Sequence, residues 1–569
     1  MKSQMLVLSL LSLWATAASA RVTQADQLLQ RLHGGFATGL DARHEHGFSS
    51  ARNMHRRADS AHRFLNHATK EFVVNGTGIP DVDFDLGESY AGQLPISEKA
   101  DERDHMFFWF FPTANEEHRE TKEIVIWLNG GPGCSSLLGL LQENGPLLWQ
   151  PGLLKPESNP WSWHLLSNIV YVEQPVTVGF SQGNATAKDE DDVARQFLGF
   201  WKNFMSTFGM QGYKVYVVAE SYGGFYGPYI SSHMVDANDN RYYDLGGLMI
   251  YDGIMFSDVV QSGVIIESFV EQHRDLMPLD DATMERIHNI SESCGYTDYY
   301  EKYLTYPPAG PAPRFPPGVS VFSNGSYVPH KECEPLFAVV YEAMRKINPC
   351  FNIYNIRAGC PQPYDPIGST DPYFDRADVK KAINAPAGVT WSQCVNGVFN
   401  SSTGDQSLPP DKYELPNVVD TTENVIIAHG SMDYILPLDG VLLGLQNMTW
   451  GGKLGFQTTP SDPFYVPRYG YNNSDGSTFY GDNLPAGSGV QGTTHHERGL
   501  TLVVTHLAGH EGPEYAAASA FRHLEKLLGR VKSLSGTEPF TLPELRSIAQ
   551  MEKPLGKGTV KIPFRGNGC

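Results

Sequence analysis

Residues 216–224 read Tyr216-Val217-Val218-Ala219-Glu220-Ser221-Tyr222-Gly223-Gly224, the most informative stretch of the 569-residue chain. The apolar, β-branched first half predicts a buried strand, and the Glu-Ser-Tyr-Gly-Gly that follows predicts a tight turn into a helix. Ser221 would stand at the apex of that turn, where small neighbours allow a strained backbone. A serine between small residues is also common in ordinary loops, so the interpretation needs further partners.

A strand, a sharp turn bearing Ser221 and a helix form the nucleophile elbow of an α/β-hydrolase, although an alanine replaces the first glycine of the usual Gly-x-Ser-x-Gly. In this fold an acid and a histidine follow the serine, each just after a core strand. Asp433 and His510 both follow apolar runs in that order. We therefore predict a Ser221–Asp433–His510 triad. His429 and His506 are rivals, but they lie within or directly after the apolar runs and suit structural roles better.

A glycine-rich turn follows another strand candidate, Ile124–Leu128. In Asn129-Gly130-Gly131-Pro132-Gly133 the missing side chains let backbone N–H groups approach a substrate carbonyl. The turn lacks the Lys-Ser/Thr ending of a phosphate-binding loop and the spacing of a dinucleotide fingerprint. We assign the two donors of an oxyanion hole to the N–H groups of Gly131 and of Tyr222, the residue after the nucleophile.

The chain resembles the serine carboxypeptidase family over roughly residues 85 to 530, and looks closest to its fungal secreted members. The resemblance rests on these segments, which occur in the family's order: Trp127-Leu128-Asn129-Gly130-Gly131-Pro132-Gly133-Cys134-Ser135-Ser136, Glu143-Asn144-Gly145-Pro146, Asn159-Pro160-Trp161-Ser162-Trp163, Glu173 to Ser181, Glu220 to Gly224, Leu445 to Trp450, and the blocks around Asp433 and His510. It implies an α/β-hydrolase fold with a central, mostly parallel sheet flanked by helices. It also implies removal of one residue at a time from the free C-terminus of a peptide or protein.

The resemblance further implies a site for the substrate's terminal carboxylate without a metal or an organic cofactor. Asn129 and the N–H of Gly130 would donate to that carboxylate, and a protonated Glu220 would bond to it and to Glu143. Two carboxyls in one buried site cannot both ionise cheaply, so we expect substrate binding to fail as pH climbs and activity to be best in mildly acidic solution. Glu511 stands where the family often has an apolar Met. It would either favour basic leaving residues or turn to solvent.

Three other activities are weighed against this interpretation. An acyltransferase would pass the acyl group of the same acyl-enzyme to an acceptor other than water, and the sequence leaves this alternative open. A lipase or general esterase is disfavoured by Asn129, Glu143 and Glu220, which suit a free carboxylate. A non-catalytic binding protein would need a broken triad, and all three positions are filled.

Charge and N-terminal sequence indicate where the protein works. A formal net charge of −20 disfavours binding to nucleic acid or to an anionic membrane. Residues 1–20 predict a signal peptide, with an apolar part too short to span a membrane and Ala18-Ser19-Ala20 at the cleavage site. We expect a secreted protein, with a vacuolar or lysosomal lumen as the alternative. Residues 21–70 are polar and contain Arg56-Arg57, which indicates either a removable pro-segment or a disordered lead.

Sequons and cysteines agree with an exported protein. Seven Asn-x-Ser/Thr sequons are glycosylation candidates: Asn75, Asn184, Asn289, Asn324, Asn400, Asn447 and Asn472. Seven cysteines suit disulfides with one left over. By the resemblance, Cys134 should pair with Cys394, and Cys569 is our candidate for the odd thiol. Two further bridges of open connectivity would join Cys294, Cys333, Cys350 and Cys360.

Strand and helix candidates alternate along most of the chain, which predicts a parallel sheet between helices. The strand candidates are Met106–Phe111, Ile124–Leu128, Ile169–Val172, Val215–Ala219, Leu248–Tyr251, Val425–Ala428 and Leu502–His506, and the helical ones include Asp191–Phe204 and Pro513–Val531. The alternation breaks over 257–382, which we expect to be a disulfide-containing cap inserted between core halves 71–256 and 383–535. We interpret 451–491 as a surface loop and 536–569 as a C-terminal tail.

Overall fold

An eleven-stranded sheet forms the centre of the computed structural model. The structure describes residues 62–321, 327–333, 336–401, 404–472, 478–480, 487–542 and 545–547. The signal peptide, most of the lead with Arg56-Arg57, Asn324, Cys569 and most of the tail lie outside these ranges. None of the helices within them is both long and apolar enough to cross a lipid bilayer.

The strands and helices are numbered in chain order. The strands are β1 Val73–Val74, β2 Ser89–Pro95, β3 His105–Phe111, β4 Glu123–Leu128, β5 Leu147–Leu148, β6 Glu157–Ser158, β7 Asn168–Glu173, β8 Lys214–Glu220, β9 Asp244–Tyr251, β10 Val319–Val321, β11 Tyr327–Pro329, β12 Val425–Gly430, β13 Thr449–Trp450, β14 Lys453–Leu454, β15 Asp462–Val466, β16 Tyr469–Asn472, β17 Thr478–Tyr480, β18 Gly489–Glu497, β19 Leu500–Thr505 and β20 Leu545–Ser547. The α-helices are α1 Leu137–Gln142, α2 Glu190–Phe208, α3 Gly223–Ala237, α4 Ile266–Gln272, α5 Asp281–Ser293, α6 Tyr296–Tyr303, α7 Leu336–Ile347, α8 Ala377–Ala382, α9 Glu414–Thr422, α10 Leu438–Gln446, α11 Gly512–Tyr515 and α12 Ala517–Leu527. Short 3₁₀ or π turns occur at Lys70–Phe72, Glu116–His118, Trp163–Leu165, Val259–Gly263 and Tyr373–Asp375.

The strand order across the sheet is β1-β2-β3-β7-β4-β8-β9-β12-β19-β18-β15. The six central strands, from β7 to β19, run parallel to one another, while β1 to β3 on one side and β18 and β15 on the other are antiparallel additions. All seven predicted strands are present, six of them within one or two residues at each end, while the strand predicted at Leu248–Tyr251 begins four residues earlier, at Asp244. The predicted α/β architecture is therefore confirmed.

The central strands form because their side chains are apolar on both faces of the sheet. In β4, for example, residues 124–128 are completely buried, which is typical of parallel strands covered by helices on both sides. Helix α2 covers one face with an aromatic stripe that includes Phe197, Trp201 and Phe204. Its first turn is capped by the Asp189 side chain, which accepts the N–H of Asp192 at 2.9 Å.

Two predictions about the C-terminal half were wrong in part. The segment predicted as a surface loop, 451–491, contains β15, which pairs with β18 and buries Phe464 and Val466 at the sheet edge. The apolar run is too short to stand out locally, and its pairing partner lies more than twenty residues away. The predicted helix Pro513–Val531 is two helices, α11 and α12, with a break at Ala516.

The segment 257–382, inserted between β9 and β12, carries five of the helices, α4 to α8, and two disulfides. These join Cys294 to Cys333 and Cys350 to Cys360, which resolves the connectivity that the sequence left open. The predicted Cys134–Cys394 bridge is also present. The Asp439 carboxylate ties the insertion to α10, since it accepts hydrogen bonds from Gln272 at 2.8 Å and Tyr300 at 3.0 Å.

Candidate active site

The turn at Ser221 has the strained geometry that the sequence predicts. Ser221 follows the last residue of β8 with a φ of 62°, a left-handed conformation that costs a non-glycine residue roughly 1–2 kcal/mol. Hydrogen bonds to the neighbouring strand end hold it there: its N–H donates to the carbonyl of Tyr251 and its own carbonyl accepts the N–H of Ile254, both at 3.0 Å. The serine is therefore held at the carboxyl end of the sheet.

Asp433 and His510 are joined beside this turn. The strands β8, β9, β12 and β19 are neighbours and parallel, so the loops after them meet at one edge of the sheet. His510 Nδ1 lies 2.7 Å from Asp433 Oδ2, and both side chains are buried. The other oxygen of Asp433, Oδ1, accepts the N–H of Leu436 at 3.1 Å. The acid and the base of the predicted triad are thus in contact.

The third contact of that triad is not formed in this structure. His510 Nε2 is buried and has no hydrogen-bond partner in the described part of the chain, so the Ser221 hydroxyl does not bond to it here. Catalytic hydrogen bonds often shorten only when substrate binds. Burial lowers the pKa of His510, but the Asp433 charge beside it outweighs this effect and the pKa ends above its ordinary value.

The loop bearing His510 is fixed by the insertion. The N–H of His510 donates to the carbonyl of Tyr354 at 2.8 Å, and the two rings lie 5.2 Å apart. Tyr354 was not predicted as a site residue. No periodicity or motif marks it, because its position depends on how the insertion folds back over the sheet.

The glycine-rich turn after β4 lies against the serine turn. A Cβ on Gly130 would lie 2.6 Å from the carbonyl oxygen of Glu220 and 2.9 Å from Ser221 Cβ, and would also meet the backbone nitrogen of Tyr222. Only glycine fits such an approach. Gly131 has a φ of 115°, which likewise favours glycine. The two predicted oxyanion-hole residues are therefore on adjoining segments.

The predicted carboxylate-binding residues form one buried cluster. Asn129 Nδ2 donates to Glu220 Oε1 at 2.9 Å and lies 3.3 Å from Glu143 Oε1. The amide oxygen of Asn129 accepts hydrogen bonds from Trp127 Nε1 at 2.8 Å and from the N–H of Gly139 at 3.0 Å. These two donors fix which end of the amide faces the glutamates. Asn129 can only donate toward the cleft.

The carboxyls of Glu143 and Glu220 are buried together, which favours their protonated, neutral forms over the charged carboxylates. Burial raises the pKa of Glu143 to about 7. Burial, and next the charge of Glu143, raises the pKa of Glu220 well above its ordinary value. The Oε2 atoms of both are buried without a donor among the described residues, although the two carboxyls are in hydrogen-bonding contact. Such a contact requires a proton between them.

Glu511 faces the same interior and does not simply turn to solvent. Its Oε2 atom is buried without a hydrogen-bond partner in the described ranges. Burial raises the pKa of Glu511, while the neighbouring His510 opposes the rise. Its charge also contributes to the raised pKa values of Glu143 and Glu220. Glu511 therefore belongs to the electrostatic surroundings of the site.

One group within the described ranges has the spacing of metal ligands. Single ligand atoms from Asp252, His429 and Asp433 lie within 4.8 Å of one another. These groups already have partners: Asp433 bonds to His510, and both nitrogens of His429 lie 2.8 Å from backbone carbonyl oxygens. His429 is thus a packed structural residue. Asp252 was missed, although it follows the apolar end of β9 as Ser221 follows β8, and that signal could have found it.

Comparison with known proteins agrees with this geometry. A family profile described as "Serine carboxypeptidase" matches residues 80–530. The chain belongs to the serine carboxypeptidase family. The predicted family is therefore confirmed, and with it the class of serine-type hydrolase.

Its relatives include fungal proteins, as predicted. A probable serine carboxypeptidase of Arthroderma benhamiae is 42% identical, with 83% of this chain and 88% of the relative covered. Serine-type carboxypeptidase F of Aspergillus niger is 39% identical over 92% of this chain and 99% of the relative. A solved structure of Kex1, a prohormone-processing carboxypeptidase of Saccharomyces cerevisiae, matches with a TM-score of 0.61 at 20% identity, covering 81% of this chain and 96% of Kex1. This likeness confirms the α/β-hydrolase fold.

Proposed function

We propose that this serine carboxypeptidase releases single residues from the C-terminus of peptides and proteins, with Ser221 as nucleophile and best activity in mildly acidic solution. The cluster of Asn129, Glu143 and Glu220 is the main support. It is buried, it can carry protons near neutral pH, and it adjoins the serine. A hydrolase of internal bonds or of neutral esters has no need of such a cluster.

The triad supplies the bond-breaking chemistry. His510 Nε2 takes the proton of the Ser221 hydroxyl as the oxygen attacks the last peptide carbonyl, and Asp433 stabilises the resulting imidazolium. The N–H groups of Gly131 and Tyr222 meet the oxyanion. His510 then returns the proton to the departing amine, which leaves as the free amino acid. Water, deprotonated by the same imidazole, hydrolyses the acyl-enzyme and regenerates the serine.

Recognition of the free C-terminus depends on a proton. Asn129 Nδ2 and the N–H of Gly130 donate to the substrate carboxylate, and protonated Glu220 donates a third hydrogen bond while it remains bonded to Glu143. A raised pKa means that the protons persist to higher pH than in ordinary glutamates. Binding is therefore strongest well below pH 7 and is lost as pH rises through the pKa of Glu143, which is about 7.

The acidic side of the activity profile is set by His510, which must be neutral to act as a base. The charges of Glu511 and Glu143 help to raise its pKa. In acidic solution these two carboxyls hold protons, because their own pKa values are raised, and their contribution disappears. The imidazole then stays neutral to a lower pH than it would beside two charged glutamates.

The segment 257–382 serves as a cap between core halves 71–256 and 383–535. Tyr354, a residue of that segment, packs its ring against that of His510, which supports a cap role for the segment. Residues 1–20 act as a signal peptide for secretion or delivery to a vacuolar lumen, 21–70 as a pro-segment or lead, and 536–569 as a tail.

Exposed sequons are the proposed glycosylation sites. The side chains of Asn75, Asn184, Asn289 and Asn400 are exposed. Asn447 is different, because its amide oxygen accepts the N–H of Ala312 at 2.9 Å and its amide nitrogen donates to the same residue's carbonyl. A glycan there would break both bonds, so we exclude Asn447 from the proposal. The Asn472 side chain lies outside the described part.

The decisive assay compares a blocked dipeptide with its C-terminal amide at pH 5.5. We expect the free acid to have a kcat/KM at least about 100-fold higher, since a neutral amide leaves the protonated glutamates without their anionic partner. Ser221→Ala should abolish both activities. Equal rates on acid and amide would contradict the proposal. Adding an amine or alcohol nucleophile tests the acyltransferase alternative, which predicts that the transfer product exceeds the hydrolysis product.

A further inference from the structure

Asp252 occupies an unusual position behind the triad. It directly follows β9, it is completely buried, and it has a φ of 45°, in the left-handed region. Its backbone N–H donates to the carbonyl of Ala428 at 2.9 Å, and its Oδ1 accepts the N–H of Gly430 at 2.8 Å. These bonds lock the side chain between the ends of β9 and β12. A carboxyl held so rigidly in a dry site needs an explanation.

The second oxygen of Asp252 supplies that explanation. Oδ2 is buried and has no hydrogen-bond donor among the described residues. A carboxylate oxygen of Asp252 nevertheless lies within 4.8 Å of one of Asp433, and the two carboxyls are placed to share a hydrogen bond. Two carboxylate oxygens are both acceptors and repel each other at contact distance, so one of the two groups must carry a proton. The hydrogen-bond partners of Asp252 and Asp433 differ, and this difference decides which of the two carboxyls carries the proton.

We propose that Asp252 is a positioning residue of the catalytic triad, which holds a proton and donates it in a hydrogen bond to the Asp433 carboxylate. The proposal rests on the function proposed above. Asp433 is the charged member because its two oxygens face the His510 ring at 2.7 Å and the N–H of Leu436 at 3.1 Å. Asp252 has the N–H of Gly430 as its one backbone donor.

The charged and titratable groups around Asp252 agree with this assignment. Burial, and next the charge of Asp433, raises the pKa of Asp252. The charge of Glu511 raises the pKa of Asp252 further, and the protonated Glu220 carboxyl and the Tyr251 hydroxyl lie in the same region. His429 Nδ1 lies 3.2 Å from Asp252 Oδ1 and 2.8 Å from the carbonyl oxygen of Gly430, and burial lowers the pKa of this imidazole, which favours its neutral form. The N–H of Gly430 favours the Asp252 anion, but burial and the charge of Asp433 outweigh it and raise the pKa.

A donor behind Asp433 has a defined consequence for the base. It withdraws part of the negative charge that the His510 ring would otherwise feel, so the imidazole becomes less basic and stays neutral at lower pH. It also holds the Asp433 carboxyl in the orientation that fixes the imidazole tautomer. Both effects suit a base that has to work in acidic solution.

Two substitutions test whether Asp252 acts as a hydrogen-bond donor to Asp433 or as a negatively charged carboxylate. Asp252→Asn keeps an oxygen for Gly430 and offers an N–H to Asp433 at every pH, and asparagine tolerates a positive φ. Asp252→Gly also tolerates this backbone but removes the donor. Glu423→Gly, at an exposed residue with a φ of 50° outside the site, is the matched control for replacing a left-handed residue. Each full-length variant is assayed on a blocked dipeptide from pH 3.5 to 8, with its melting temperature and metal content.

The proposal predicts that Asp252→Asn keeps kcat within about threefold and leaves the acidic limb of kcat/KM unchanged. Asp252→Gly should lose roughly 10- to 100-fold in kcat, the typical effect of one hydrogen bond to a charged group, with KM little changed. Its acidic limb should move to higher pH by about half a unit or more. The control should match the wild type.

Three results would overturn the proposal. Equal losses in the Asn and Gly variants would mean that the anion, not the donor, is needed. A downward shift of the acidic limb in Asp252→Asn would mean that Asp252 is charged in the native enzyme. One equivalent of a divalent metal that disappears in Asp252→Asn would assign the group to metal binding. Failure of the proposed function would be recognised by a different result: the Ser221→Ala variant would keep the peptidase activity of the wild type.

Discussion

The proton on the Glu143–Glu220 pair can be tested by removing one of its titrating groups. In Glu143→Gln the amide cannot ionise but can still donate to Glu220, so the negative charge that would appear near pH 7 is absent. We expect the KM of wild type for a peptide to rise with pH and that of the variant to stay nearly flat. Glu143→Gln should thus change how KM depends on pH, and not only lower the rate of the reaction.

The magnitude follows from the pKa of Glu143, about 7. At pH 8.5 only about one molecule in thirty keeps this proton, so the wild-type KM should be about 30-fold higher than at pH 5.5. The charge repulsion can sustain such a change, since two unit charges about 4 Å apart interact with about 4 kcal/mol near a protein surface. In Glu143→Gln the same ratio should be below about threefold.

The assay measures steady-state KM and kcat on a blocked dipeptide between pH 5 and 8.5. Glu514→Gln is the matched control, because it removes a neighbouring, partly buried carboxyl whose pKa is also raised by burial but which lies outside the Asn129 hydrogen bonds. Its KM should follow the wild type. The reasoning is refuted if Glu143→Gln and wild type show the same rise in KM, or if the wild-type KM is flat.

Three further predictions concern the oxyanion loop, stability and specificity. Gly130→Ala should lower kcat by about 10²-fold or more and also lower the melting temperature, because its Cβ pushes against backbone atoms of Glu220 and Tyr222; normal kcat and melting temperature would show that the two segments can separate freely. Burial raises the pKa of Asp439 to about 6 and of Glu173 to about 7, so the folded state binds their protons more tightly than the unfolded state and the free energy of unfolding should fall as pH rises from about 4 to 7. Denaturant unfolding should show this fall, and Asp439→Asn should reduce it by up to about 3 kcal/mol; a stability that increases over this range would contradict it. Glu511→Met should lower the preference for Lys or Arg over Leu as the leaving residue by about tenfold, and an unchanged preference measured by competing peptides would show that Glu511 does not face that side chain.

The sequence predicted those parts of the fold that depend on local pattern. Runs such as Ile124–Leu128 and Val425–Ala428 are apolar on both faces and long enough to stand out, so the parallel strands and the loops after them were placed correctly. Ser221, Asp433 and His510 could be predicted as a triad because each follows such a run, and the structure brings Asp433 and His510 into contact. The Cys134–Cys394 pair came from the family resemblance and is present.

What the sequence missed depends on distant partners. Strand β15 forms because β18 offers it an edge, and its own five residues give little signal. Tyr354 reaches His510 through the path of the insertion, which no periodicity describes. The bridges Cys294–Cys333 and Cys350–Cys360 could not be assigned by counting cysteines, since pairing depends on which Cα atoms come within reach.

Covalent labelling of the nucleophile tests the central claim most directly. A fluorophosphonate reacts with a serine only when a neighbouring base activates it. We predict one adduct per chain, which mass spectrometry of the digested protein assigns to the peptide containing Ser221, and which forms at least about 10³-fold more slowly in His510→Ala. An adduct on another residue, or labelling that proceeds equally fast without the His510 imidazole, would contradict the account.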